Sequence, residues 1–215
     1  MILKYDFRRC ACWFASLLLP FLLLPAAASA EEKAALDQVR ITPFLGYRAG
    51  GEFEDANTGS TLDLDEEQSY GLIFSKGAED ALEFSISVQP TKLNANGEVS
   101  STDLFDVDVI NYMVSGKNIL NRESGAFVSG MVGVTHFDPR GVGLSSETRF
   151  ALGAGGGIDY RIAKNLSFRL EGRGIGTFLD SSGGVFCSSS RGCAMYVDSS
   201  LLLQFEVISG LTFRF

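Results

Sequence analysis

The last fifteen residues of the chain, 201–215, alternate between two rows of side chains over a longer stretch than an ordinary strand spans. One row is nearly all apolar and holds Leu201, Leu203, Phe205, Val207, Ser209, Leu211, Phe213 and Phe215. The other row is mostly polar and holds Leu202, Gln204, Glu206, Ile208, Gly210, Thr212 and Arg214. A strand that crosses a bilayer needs about ten residues, apolar toward lipid and polar toward a lumen. The pattern therefore predicts a membrane-spanning strand.

After residue 30 no apolar run is long enough for a membrane helix, so a membrane protein of this sequence requires a closed barrel, in which neighbouring strands pair all backbone groups. Abundant glycine and short alternating segments agree with this. A soluble β-sandwich is the alternative, but it would keep its apolar face inside, whereas here the second row carries charges. We predict an all-β fold, an eight-stranded antiparallel up-and-down transmembrane β-barrel.

The N-terminal segment has the layout of a secretory signal peptide. A basic start precedes an apolar run over residues 11–28, and a small-x-small site ends at Ala30. Two prolines interrupt the run, which argues against an uncleaved membrane anchor. We predict a signal peptide over 1–30, cleaved after Ala30, and a barrel domain over 31–215. Export to the outer membrane of a Gram-negative cell follows from this layout.

Repeated alternation predicts eight strands at about 39–49, 68–76, 81–92, 104–115, 126–137, 148–161, 166–178 and 201–215. Short turns are predicted at 77–80, 116–125 and 162–165, and longer loops at 50–67, 94–103, 138–146 and 179–196. An even strand number places both chain ends on one side, with the long loops on the other.

Without residues 1–30 the chain has 15 basic and 25 acidic residues, a net charge of about −10. Nucleic-acid binding asks for clustered Lys and Arg, so we expect no nucleic-acid partner.

Four segments resemble the small eight-stranded outer-membrane barrels of the OmpA, OmpX and OmpW type. They are Ile41-Thr-Pro-Phe-Leu-Gly-Tyr-Arg-Ala-Gly-Gly51, Gly153-Ala-Gly-Gly-Gly-Ile-Asp-Tyr-Arg161, Leu166-Ser-Phe-Arg-Leu-Glu171 and the terminal Phe215. The resemblance implies an architecture and no particular activity. It also implies that Leu211, Phe213 and Phe215 form a recognition signal for the barrel-assembly machinery. Outer-membrane lipids and lipopolysaccharide are the other expected partners.

The seventh strand places Arg169, Glu171 and Arg173 on its inward row, beside inward Glu206 of the last strand. Eight strands enclose a narrow interior filled by side chains, and buried charges persist there only when they are paired. We interpret these four residues as a structural charge network. A gated conductance path is the alternative.

Cys187 and Cys193 are the only two cysteines after residue 30. Disulfides persist in exported proteins, so we predict that these two form one. A metal site is the alternative, although two thiolates and a single distant histidine provide too few ligands.

His136, the only histidine, lies two residues from Asp138, a pairing too generic to indicate catalysis. The first long loop is acidic, which suits either Ca²⁺ or Mg²⁺ binding or a solvated loop, and it lacks the ligand spacing of a calcium loop. These acidic residues are Glu52, Glu54, Asp55, Asp63, Asp65, Glu66 and Glu67. We predict no catalytic residue, no metal and no cofactor.

Together these patterns predict a monomeric outer-membrane barrel that is not an enzyme. Its role would be structural, or the presentation of surface loops in adhesion or envelope integrity. Two alternatives are a narrow channel or hydrophobic small-molecule conduit of OmpW type, and a barrel hydrolase acting on lipid or peptide.

Overall fold

The computed structural model describes residues 38–54, 61–77, 81–96, 101–140, 144–179, 184–188, 192–196 and 201–215. The predicted signal peptide and its cleavage site lie outside these residues, as does most of the predicted first turn. Among the described residues there is no helix with the length and apolar character needed to span a membrane.

Twelve strands make up the described part of the chain. They are β1 Val39–Gly50, β2 Glu52–Glu54, β3 Thr61–Leu64, β4 Glu67–Lys76, β5 Ala81–Asn96, β6 Ser101–Asn121, β7 Ala126–Pro139, β8 Glu147–Ala163, β9 Leu166–Phe178, β10 Gly184–Ser188, β11 Gly192–Tyr196 and β12 Leu201–Arg214. Eight long strands form the wall in the order β1-β4-β5-β6-β7-β8-β9-β12, and each is antiparallel to its neighbours. The predicted strands agree with these eight.

The barrel closes where β12 pairs with β1, from Arg40 opposite Arg214 to Gly50 opposite Gln204. The backbone N–H of Phe215 also donates to the carbonyl of Val39, so the first and last strands meet at one end. The predicted eight-stranded antiparallel barrel is therefore confirmed. We call the end at which β1 begins and β12 ends the turn end, and the opposite end the loop end.

Pro43 lies within β1, further from its start than proline usually lies in a strand. Proline has no N–H to donate, and the ladder between β1 and β12 has a gap at Thr42 and Pro43. The hydroxyls of Thr42 and Thr212 lie 2.8 Å apart across this gap and join the two strands there.

The two rows of β12 face opposite sides of the wall. Its odd-numbered residues are exposed, and its even-numbered residues are buried as far as Thr212. The same alternation in the other long strands leaves large apolar side chains exposed around the outside, with Leu45, Tyr70, Phe84, Val132 and Leu170 as examples.

Two predicted turns were too long. β6 continues to Asn121 and leaves only residues 122–125 as a tight turn, in which Gly125 has a φ of 68°. Similarly, β8 continues to Ala163. The glycine and asparagine between 116 and 121 indicate a turn locally, but this segment pairs with β7 down to Asn121 opposite Ala126. Cross-strand pairing therefore overrides local propensity at this end.

The predicted loops contain further strands. β2 and β3 form a hairpin from the first loop, and β3 pairs with the loop end of β5. β5 and β6 extend together beyond the predicted strand ends, with a register shift after Leu93. β10 and β11 form a separate two-stranded sheet within the fourth loop.

Candidate functional site: a charge network across the lumen

Four carboxylates and four cations alternate through the inside of the barrel. In order of contact they are Asp159, Lys117, Glu83, Arg169, Glu171, Arg173, Glu206 and Arg48. Seven of these side chains are at most 5% exposed. Their formal charges cancel, which is the condition under which buried ions are tolerated in a low-dielectric interior.

The central contact joins opposite walls. Glu83 lies on β5 and Arg169 on β9, four strands apart in either direction around the barrel. Nη1 and Nη2 of Arg169 donate to Oε1 and Oε2 of Glu83, both at 2.8 Å. The hydroxyl of Ser75 donates to the same carboxylate at 3.0 Å, and Nζ of Lys117 lies 3.6 Å from it. This bidentate pair therefore joins opposite walls across the lumen.

The network continues toward the loop end from Arg169. Its Nη2 lies 2.7 Å from Oε2 of Glu171, and Glu171 also accepts a hydrogen bond from Ser129 at 3.1 Å. Arg173 lies between two carboxylates, 3.5 Å from Glu171 and 3.7 Å from Glu206. The structure thus brings together all four charged residues that the sequence singled out.

Arg48 completes the network on the other side of Glu206. Its Nη2 donates to Glu206 at 2.8 Å and to the hydroxyl of Ser87 at 2.6 Å. Ser87 is on β5, two strands away from β1, so this arginine also reaches across the interior.

Sequence reasoning missed four members of the network, although three of them carried a signal. Glu83 and Arg48 lie on the inward rows of strands whose alternation was clear. Asp159 follows the glycine run of β8. Lys117 lies where glycine and asparagine predict a turn, and this prediction conceals its inward direction. Its ammonium is 2.5 Å from Asp159.

Two inward phenylalanines fill the space between the charged groups. Nζ of Lys117 and Cζ of Arg169 lie 5.0 and 4.7 Å from the centre of the Phe127 ring, and Cζ of Arg173 lies 5.1 Å from that of Phe44. These distances are typical of cation–π contacts. The gap among Glu83, Arg169, Glu171 and Arg173 has no volume for a water-sized sphere, ≈ 0 Å³.

An apolar cluster closes the interior at the loop end. It contains Leu64, Leu93, Val107, Val109, Phe137, Leu179 and Leu202, none more than 8% exposed. In this part of β6 the apolar residues Val107 and Val109 point inward, while Asp106 and Asp108 lie on the outer face, where Arg140 binds Asp108 at 2.7 and 2.8 Å. At this end of β6 the inward side chains are therefore apolar and the outward ones charged, which is the reverse of a lipid-facing segment.

The other candidate residues lie outside the lumen. Nδ1 of His136 is 2.8 Å from the hydroxyl of Thr148 on the neighbouring strand, and Asp138 is exposed. In the first loop, burial raises the pKa of Asp63, and the charges of Glu52 and Asp65 raise it further. Among the described residues no three His, Cys, Asp or Glu side chains are grouped so as to hold a metal ion.

The two cysteines face each other in the backbone register of β10 and β11, Cys187 opposite Cys193. Opposed residues of antiparallel strands have Cα atoms about 4.5–5.5 Å apart, within the range that a disulfide spans. The disulfide itself stays a prediction. The three residues of the expected assembly signal, Leu211, Phe213 and Phe215, are all exposed on the outer face of the last strand.

No protein-family model matches the chain, and no curated protein matches it in sequence. Several solved structures share its fold, and two of them are small outer-membrane proteins. One is the outer membrane protein OprG from Pseudomonas aeruginosa, with a TM-score of 0.52 and 12% identity over 84% of this chain and 97% of that one. The other is Neisserial surface protein A, NspA, with a TM-score of 0.54 and 12% identity over 82% of this chain and 97% of that one. At the level of the fold, these comparisons confirm the resemblance to small outer-membrane barrels.

Proposed function

We propose that this chain is an integral outer-membrane barrel with a sealed lumen, and that it serves as a rigid scaffold presenting its loops at the cell surface. The observation that carries the proposal is the bidentate Glu83–Arg169 pair, which joins opposite walls across the lumen. A structural role in the envelope or in adhesion fits a barrel whose interior is filled and whose loops carry additional strands.

The outer surface supports insertion into a bilayer. Soluble monomers rarely expose apolar patches larger than a few hundred Å². Here the outward row of β12 is uncharged over its full length, and neighbouring strands add exposed residues such as Leu45, Leu72 and Leu170. Lipid is the environment in which such a surface is stable. The predicted signal peptide over 1–30 would provide export.

The contrast between short turns and long loops supports the orientation. In bacterial outer-membrane barrels, short turns face the periplasm and longer loops face outward. The turn between β8 and β9 contains only residues 164–165, whereas the loops at the other end carry the β2–β3 and β10–β11 hairpins. We accordingly propose lipopolysaccharide as a neighbour at the loop end, and the barrel-assembly machinery as the partner that inserts a monomer.

The packing of the interior favours a scaffold role over a conduit role. A permeating ion would have to separate charges that are hydrogen-bonded and desolvated, and such separation costs several kcal/mol. An apolar solute entering from the loops would first meet the apolar cluster, in which Leu93, Val109 and Leu202 are at most 1% exposed. A narrow channel or hydrophobic conduit therefore needs a rearrangement of both the charge network and the apolar cluster.

Conductance measurements test the sealed lumen. Mature protein, residues 31–215, refolded into planar bilayers is expected to give no unitary current steps, because the Glu83–Arg169 pair blocks the lumen. Reproducible steps from the monomer would contradict a sealed barrel and favour the channel alternative. Arg140→Ala removes a charge from the outer rim and leaves the interior unchanged, so this variant is also expected to give no current steps.

Fractionation tests the location separately. The full chain expressed in a Gram-negative host is expected in the outer-membrane fraction, with its N-terminus at Glu31. Recovery in the soluble periplasm, or in the inner membrane with residues 1–30 retained, would contradict the proposal.

A further inference from the structure

A cavity of about 540 Å³ opens at the turn end of the barrel, below the charge network. This volume is within the range of small-ligand sites. Its charged lining residues come from four parts of the wall and are Arg40, Arg122, Glu123, Asp159, Arg161 and Arg214. Cations thus outnumber carboxylates by four to two. We call this cavity the arginine vestibule.

Two of these arginines are direct neighbours across the closing seam of the barrel. Arg40 of β1 pairs with Arg214 of β12 in the strand register, and both side chains line the vestibule. Like charges directly opposite each other destabilise a sheet. Arg40 is only 4% exposed, so water screens this repulsion weakly. An anion placed between the two guanidinium groups would relieve it.

Two carboxylates line the vestibule beside its four arginines. Glu83 and Asp159 attract Arg40, and Asp159 also attracts Arg214. Arg169 already binds Glu83 at 2.8 Å, and Lys117 already binds Asp159 at 2.5 Å. Arg161 adds repulsion on Arg214 from the other side. Glu123 lies in the exposed β6–β7 turn, where water screens its charge.

Arg214 also has one N–H group without a hydrogen-bond acceptor among the described residues. Its Nη1 donates to the carbonyl of Lys164 at 3.2 Å, while its Nε is buried and meets no hydrogen-bond acceptor among the residues that the structure describes. A buried donor without an acceptor is costly, particularly when it carries charge. An oxyanion in the vestibule would provide the acceptor.

We propose that the arginine vestibule binds a small soluble phosphoryl anion, of the pyrophosphate or phosphate-ester class. Guanidinium groups bind the oxygens of phosphate in pairs of parallel hydrogen bonds, and several guanidinium groups around one cavity suit an anion with more than one negative charge. The charged lining residues belong to inward rows or to a turn, so the anion would enter from solution. Anion binding at the vestibule is a function separate from the scaffold role. It rests on the proposed orientation in one point only, which is that the solution at the turn end is the periplasm.

Calorimetric titration of inorganic pyrophosphate into the refolded protein in zwitterionic micelles tests the proposal at constant ionic strength. Saturable binding is expected, together with a shift of the Arg214 Nε–H resonance in ¹⁵N NMR. Arg122→Ala and Arg161→Ala remove exposed side chains, so both variants should fold. Each is expected to weaken binding about tenfold.

Arg140→Ala at the loop end is the matched control, because it changes the net charge equally and is expected to leave binding unchanged. Equal weakening by this control would overturn the proposal, since it would indicate a nonspecific charge effect. Absence of saturation at millimolar pyrophosphate would also overturn it. So would a response that requires phosphatidic acid in the micelle, since this would identify a lipid headgroup and not a soluble anion.

Discussion

Glu83 and Arg169 hold opposite walls of the barrel together through two hydrogen bonds of 2.8 Å, although 86 positions separate them in the chain. Each of the two is 2% exposed or less. The two strands that carry the pair lie at opposite positions in the eight-stranded wall.

Removing one partner of this pair should destabilise the barrel. Glu83→Gln is expected to lower the free energy of unfolding by about 3 kcal/mol, because two buried cations lose an ionised partner. Urea unfolding of the protein in lipid vesicles measures this change. Glu123→Gln in the exposed β6–β7 turn is the matched control, with an expected change within about 0.5 kcal/mol. Equal effects of the two substitutions would contradict a stabilising role for the pair.

Glu206 should interact more strongly with Arg48 than with Arg173, because the shortest N–O distances are 2.8 and 3.7 Å. Double-mutant cycles with alanine measure each coupling energy in the same vesicles. We expect about 2 kcal/mol for the first pair and less than about 1 kcal/mol for the second. The reverse order would show that the second arginine approaches Glu206 more closely in the membrane.

Alanine substitutions at two glycines of β7 should differ in their effect on the free energy of unfolding. A Cβ at Gly133 would lie 2.0 Å from the carbonyl oxygen of Tyr112, whereas a Cβ at Gly130 meets nothing within 4 Å. Gly133→Ala is therefore expected to cost about 1–3 kcal/mol, and Gly130→Ala to be neutral or slightly stabilising. Unfolding in urea compares the two variants. A neutral Gly133→Ala would indicate more space between β6 and β7 than the structure has.

The cysteines of the fourth loop should form an intramolecular disulfide, because β10 and β11 place Cys187 opposite Cys193. Intact-mass spectrometry after alkylation is expected to show no adduct without reductant and two adducts after reduction. Cys187→Ser provides the control and should show one adduct under both conditions. Two adducts in the unreduced mature protein would refute the pairing.

An arginine in the middle of the lipid-facing row should lower the free energy of unfolding only when the protein is in a bilayer. Val207 is 58% exposed on β12, and Val207→Arg is expected to lower stability in vesicles by about 2–4 kcal/mol. Leu120→Arg, near the turn end of β6, is the control for position, with an expected loss of about 0–1 kcal/mol. If both variants were as stable as the parent protein, the outer face would not contact lipid.

The period-two pattern was sufficient to locate the eight wall strands. Alternation is a property of each strand alone, because successive side chains point to opposite faces. For this reason the exposed row of β12 and the inward direction of Arg169 and Glu206 could be predicted. The strand ends at Asn121 and Ala163 could not, because pairing with a neighbouring strand extends segments whose own composition indicates a turn.

The sequence by itself therefore determined the barrel, the facing of its strands and four of the eight residues in the charge network. Only the tertiary structure decided which charges meet. The contact of Glu83 with Arg169 depends on the stagger between strands summed around half the wall, and no single strand encodes that sum. The same closure places Arg40 beside Arg214 and so creates the arginine vestibule, because residues from the two ends of the chain become neighbours only when the first and last strands pair.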